Sequence, residues 1–158
     1  MVFSGCRDCV FANNTIVDPG DYVARIVEEN GARGPGEGGW FVNNLVVFER
    51  RQLRGFVDVR DGARTATFTF GWNLWHARDD AAFRGPRYRG GLPPEQKAVV
   101  GRDPALDAQR RPKTGSPAFG AGRPVPGGLP GDFDRQPYAE PPAIGAFGSP
   151  PPATTTPR

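Results

Sequence analysis

The chain has 158 residues, 37% hydrophobic and 23% charged, with 22 glycines and 18 prolines. No run approaches the roughly 18–20 apolar residues of a membrane-spanning helix. So much glycine and proline excludes a helical bundle, because both break helix interiors, and leaves a turn-rich β protein or a partly disordered chain. The net charge is +3, but residues 1–80 carry −2 and residues 81–158 carry +5. The basic second half favours anionic partners or a solvated arginine surface. Its arginines do not interleave with aromatics, so nucleic acid is not an expected partner.

In chain order, Met1-Val2-Phe3-Ser4-Gly5 lacks a basic n-region and an apolar h-region, so it is not a signal peptide. Cys6 and Cys9 follow as a lone Cys-x-x-Cys. A structural zinc site needs four ligands, and His76 is the one other soft donor. A thioredoxin-type motif should precede a helix, and no helix pattern follows. Residues three apart on an extended strand point to opposite faces, so these cysteines are expected to pack rather than pair.

The first half repeats itself. Phe11-Ala12-Asn13-Asn14-Thr15-Ile16-Val17 recurs as Phe41-Val42-Asn43-Asn44-Leu45-Val46-Val47 and, degenerately, as Phe70-Gly71-Trp72-Asn73-Leu74-Trp75. The spacing is 30 and then 29 residues. Ala24-Arg25-Ile26-Val27-Glu28 also aligns with Arg54-Gly55-Phe56-Val57-Asp58 at 30 residues, and Asn30-Gly31 and Asp61-Gly62 follow as turn signals. Each period holds short Val/Ile/Phe-rich runs with no helical periodicity. A period of this length built of strands and turns predicts a β-solenoid, in which equivalent residues stack from coil to coil. Asn14, Asn44 and Asn73 would then form a ladder at a sharp bend. Asn13-x-Thr15 formally matches a glycosylation acceptor, but it lies inside that ladder.

Sixteen of the 18 prolines lie in residues 81–158, so this half is expected to be irregular. The repeats, and the segments that follow them, resemble coils and C-terminal ends of right-handed parallel β-helix proteins of the pectate-lyase-like superfamily. Val100-Gly101-Arg102-Asp103-Pro104-Ala105-Leu106 is similar to the "DP-x-L/F" segment after the last coil. Gly115-Ser116-Pro117-Ala118-Phe119-Gly120-Ala121-Gly122 resembles "GSPAIGAG", and Ile144-Gly145-Ala146-Phe147 resembles "IGAFE". Asp132-Phe133-Asp134-Arg135-Gln136-Pro137 stands where the family often has "D-x-x-G-x-x-R-P", but without its glycine.

The expected fold is therefore all-β: a right-handed parallel β-helix of about three coils over residues 1–80. An irregular Pro/Gly-rich C-terminal cap follows over 81–148, with a disordered Pro/Thr-rich tail over 149–158. Trp72, Trp75, Phe83, Tyr88, Phe119, Phe133 and Phe147 are candidates to close the core. The resemblance implies the C-terminal portion of a longer exported chain, secreted or at the cell surface, with further coils upstream. Enzymes of this superfamily act on polysaccharides in a groove along one parallel sheet. No active-site motif transfers, so whether this chain is an enzyme is left open. The first reading is a structural end piece that touches carbohydrate. The alternatives are a lyase for an acidic polysaccharide and a glycan-binding surface module.

Candidate substrate-binding residues flank the second run of each period: Arg25, Glu28, Arg54, Asp58 and Arg60. Aligned at 30 residues, Glu28 and Asp58 would stack about 5 Å apart. Calcium would relieve their repulsion, although no cofactor is otherwise called for. Glu29 and Asp61 lie nearby. Trp40, Trp72 and Trp75 could stack on sugar rings, but core packing is the commoner role for such residues. His76 stands alone, with no partner to suggest a catalytic triad.

Overall fold

The computed structural model describes residues 1–28, 34–60 and 62–150. The turn signals Asn30-Gly31 and Asp61, together with Glu29 and most of the expected tail, lie outside the described residues. Those described form ten short strands and two single 3-10 turns. No described helix is long and apolar enough to cross a membrane.

The strands are β1 (Val2–Ser4), β2 (Val10–Ala12), β3 (Thr15–Val17), β4 (Tyr22–Val27) and β5 (Trp40–Val42), then β6 (Leu45–Phe48), β7 (Gly55–Val59), β8 (Thr69–Gly71), β9 (Leu74–Ala77) and β10 (Val99–Val100). They build three sheets, β1-β4-β7, β2-β5-β8 and β3-β6-β9-β10. Every pairing is parallel. The chain visits the three sheets in the same order three times and then returns to the third as β10, an order consistent with a β-solenoid.

The repeat sets the register of the second and third sheets. Phe11 pairs with Phe41 and Phe41 with Phe70, while Leu45 pairs with Leu74 and Leu74 with Val99. The first sheet differs from the alignment expected from sequence. Ala24 pairs with Val57, Arg25 with Asp58 and Ile26 with Val59, an offset of 33 residues rather than 30. Four residues separate Val17 from Tyr22, but seven separate their partners Val47 and Gly55, and the 3-10 turn Arg50–Gln52 lies in this longer link. Asp79 holds this turn by accepting from the Arg50 and Arg51 backbone N–H groups at 2.5 and 3.2 Å.

Inward residues fill the space between the sheets. Phe3, Ile26, Phe41, Phe48, Phe70 and Trp75 are all at most 2% exposed. Burying each contributes about 1.5–3 kcal/mol relative to exposure. Phe41 stacks on Phe70 with ring centroids 5.5 Å apart, and Trp75 meets Phe56 edge-on at 5.5 Å. Where the strands end, Phe83 packs against Phe48 and Phe56, and Tyr88 lies 4.6 Å from Phe70.

The asparagine ladder satisfies the bend between the second and third sheets. The Asn14 backbone N–H and Nδ2 donate to Asn44 Oδ1 at 3.1 and 2.8 Å. Those of Asn44 donate to Asn73 Oδ1 at 2.7 and 3.2 Å. Glu95 ends the ladder, with its Oε1 accepting from Asn73 Nδ2 at 2.8 Å, and Tyr88 donates its hydroxyl to the other carboxylate oxygen. Asn13 and Asn43, just before the ladder, adopt φ near +53° and +55°, a left-handed bend that asparagine tolerates. Asn13 is 7% exposed, and its Nδ2 donates to Ala143 O at 2.8 Å. The glycosylation match is therefore a structural amide.

The second half crosses the flank of the stack. Ala118 and Ile144 pack with Leu45, Val47 and Leu74 on the outer face of the third sheet. Its central strand β6 is thus buried on both faces, which explains the continuous apolar run Leu45–Phe48. Gly145 N–H donates to Asn43 O at 2.8 Å, and Ala146 N–H to Thr15 Oγ1 at 3.0 Å. The two segments similar to "GSPAIGAG" and "IGAFE" meet there, with Ile144 N–H donating to Ala118 O at 2.8 Å. Phe147 is 6% exposed beneath the Arg111 guanidinium, while Phe133 is 75% exposed and closes nothing.

Cys6 and Cys9 form a disulfide, contrary to expectation. The segment between them is a bend rather than a strand, with Arg7 in an isolated parallel bridge to Glu37. Gly5 and Asp8 take φ of +49° and +53°, and the two Cα atoms lie 6.0 Å apart, within disulfide range.

Candidate functional site: an arginine-lined cleft

Strand β7 is the last strand of the first sheet, and its far edge carries no further strand among the described residues. The segment 82–90 passes across it and leaves a cleft of about 740 Å³. Five arginines line it: Arg50, Arg54, Arg84, Arg87 and Arg89. Asp58, Asp80 and Tyr22 also face it. Five guanidinium groups against two carboxylates make its lining strongly positive.

The arginines come from two places, Arg50 and Arg54 from the link before β7 and Arg84, Arg87 and Arg89 from the segment 82–90. Arg50 follows from the 3-10 turn held by Asp79. Its Nη1 donates to Leu53 O at 3.1 Å, and its guanidinium sits 5.5 Å from the Phe56 ring centroid. The carboxyl of Asp79 is held below the usual carboxylate range by those backbone donors, foremost the Arg50 N–H. Arg84 donates to Ala81 O and Phe83 O at 3.2 and 3.3 Å, so buried Phe83 fixes its base. Arg54 has Asp21 at 3.5 Å, an exposed pair of small energetic weight. Among the described residues, Arg50, Arg84, Arg87 and Arg89 have no carboxylate within ion-pair distance.

The residues singled out from sequence are partly brought together. Arg54 and Asp58 line the cleft. Arg25 and Arg60 both hold Asp58 Oδ2 from beside it, at 3.0 and 3.1 Å. Glu28 does not stack on Asp58. The shifted register puts Arg25 there instead, and a Glu28 carboxylate oxygen accepts from the Gly36 backbone N–H at 2.7 Å. Stacked like charges were the reason to consider calcium, and an arginine–aspartate–arginine cluster takes their place. Among the described residues, no group of three or more His, Cys, Asp or Glu side chains is placed to hold a metal.

Sequence reading missed Arg50, Arg84, Arg87 and Arg89. Three arginines within Arg84–Arg89 were the available signal, but nothing local says that this segment lies against β7. Of the tryptophans considered for sugar stacking, Trp75 is fully buried. Trp40 and Trp72 are already engaged by the Arg123 guanidinium, at 5.0 and 4.4 Å from their ring centroids.

Chemically, the cleft offers charge and directed donors. A guanidinium keeps its proton at any accessible pH and presents a planar fork that matches carboxylate or sulfate oxygens two at a time. Comparison with protein-family models, curated proteins and solved structures found no match to this chain.

Proposed function

We propose that this chain is the C-terminal portion of an exported right-handed parallel β-helix protein, and that its arginine-lined cleft holds an acidic polysaccharide. In this reading residues 1–80 supply three coils, and the segment around Phe83 and Tyr88 closes the core. The observation that carries the reading is the cleft itself, where four arginines with no carboxylate partner among the described residues line the last strand of a parallel sheet. A repeating acidic polymer lying along that strand meets several of them at once, so individually weak contacts add along one chain.

Binding without turnover is favoured over the lyase alternative. Proton abstraction beside a uronate carboxylate needs an acceptor aimed at the substrate, but Asp58 Oδ2 is taken up by Arg25 and Arg60, and Asp80 Oδ1 accepts from the Ala82 N–H at 3.0 Å. The test is incubation with a uronate polymer, read by calorimetry and by ultraviolet absorbance of unsaturated ends. Saturable heat without new absorbance is expected. New absorbance would establish the lyase reading instead, and no binding at low ionic strength would overturn the proposal.

A further inference from the structure

A second cleft, of about 590 Å³, opens on the outer face of the third sheet. Val17, Val47 and His76 are successive partners on β3, β6 and β9 and form its floor together with Leu106. Its wall is the loop after β10. Asp103 and Asp107 each shape that loop by accepting from backbone N–H groups two residues on, Ala105 at 2.8 Å and Gln109 at 2.9 Å. Ala105 and Arg110 hold left-handed φ of +52° and +64°, which side-chain-bearing residues seldom adopt. The wall is therefore built to a set shape.

The polar groups around this floor are balanced. Arg78 and Arg110 face Asp103 and Asp107. Arg78 is neutralised by Asp18 and has Glu49 at 3.8 Å. Arg110 has no ion-pair partner among the described residues. His76 Nε2 lies 4.0 Å from Asp103 Oδ1, while its buried Nδ1 has no hydrogen-bond partner among the described residues. An anion here would face two aspartates, and a cation two arginines. A hydroxyl both donates and accepts, so it can use a carboxylate and a guanidinium side by side.

We propose that this cleft is a second binding site, for a neutral polyol or sugar ring. The C–H face of the ring lies on Val17, Val47 and Leu106, and its hydroxyls donate to Asp103 and accept from Arg110. The site does not depend on the arginine-lined cleft, and its charge balance sets it apart from that cleft.

His76 is the one histidine in the sequence, so its imidazole NMR signals report on this floor alone. The probes are the methyl glycoside of a neutral hexose and the matching uronate. A saturable shift of the His76 signals with the neutral glycoside is expected, with the uronate at least about tenfold weaker. Asp103→Asn keeps an oxygen for the Ala105 N–H but loses the charge, and is expected to weaken the neutral sugar by about tenfold. Arg87→Ala, in the other cleft, should leave the titration unchanged. No saturable shift with the neutral glycoside, equal or tighter binding of the uronate, or full affinity in Asp103→Asn would each overturn the proposal.

Discussion

Asn44 shows what one side chain does in this stack. It is fully buried, accepts from Asn14 and donates to Asn73 Oδ1 and to Phe11 O. Asn44→Ala removes the acceptor of both the Asn14 backbone N–H and the Asn14 Nδ2, and takes the Nδ2 donor from the buried Asn73 Oδ1. The expected loss is about 1–3 kcal/mol for each buried polar group left unpaired, read by chemical denaturation. Asn14→Ala, at the ladder's partly exposed end, should cost less. Glu95 closes the other end, and its burial raises its carboxyl above the ordinary glutamate range despite the donors from Tyr88 and Asn73. The folded state thus favours the protonated acid. Its contribution to stability is full below the unfolded pKa and is lost as pH rises through the folded one. Glu95→Gln cannot ionise, so its melting temperature should gain on the wild type between acid and neutral pH. An unchanged difference across that range would refute this role. The ladder asparagines were legible from their spacing. Glu95 was not, because it reaches the ladder from a position outside the repeat.

At the scale of elements, the second and third sheets could be read from sequence because phenylalanine and asparagine stack on their like. The first sheet could not. Its apolar residues fit either register, and the inserted turn Arg50–Gln52 carries no local mark of insertion. The flanking segment was legible in pieces but not in place, since Ala118 and Ile144 could as well have closed an end as covered a side. Gly145 makes that placement testable. It sits at φ +98°, and a Cβ there would come within 3.0 Å of Thr15 Oγ1 and 3.1 Å of Leu45 Cβ. Gly145→Ala should destabilise the protein by about 1–3 kcal/mol through backbone strain, with added crowding against the sheet. A melt equal to the wild type would mean the segment does not press on the third sheet.

For the whole molecule, the distribution of charge was only half visible in sequence. The excess of arginine after residue 80 was plain, but its meaning depends on segment 84–89 folding back along β7, beside Arg50 and Arg54 from the first half. Contacts so distant in sequence follow from the stacking of sheets, not from any local pattern. The measurement that tests the central claim most directly compares uronate-polymer affinity in the wild type and in Arg87→Ala/Arg89→Ala. Both side chains lie at the surface of the cleft, away from the core cluster, so the variant should melt like the wild type. The affinity should fall at least about tenfold, as expected for losing charge-assisted contacts, and the wild type should weaken as added salt screens the cleft. Equal affinity in the two proteins, or binding indifferent to salt, would contradict the assignment of this cleft to an acidic polysaccharide.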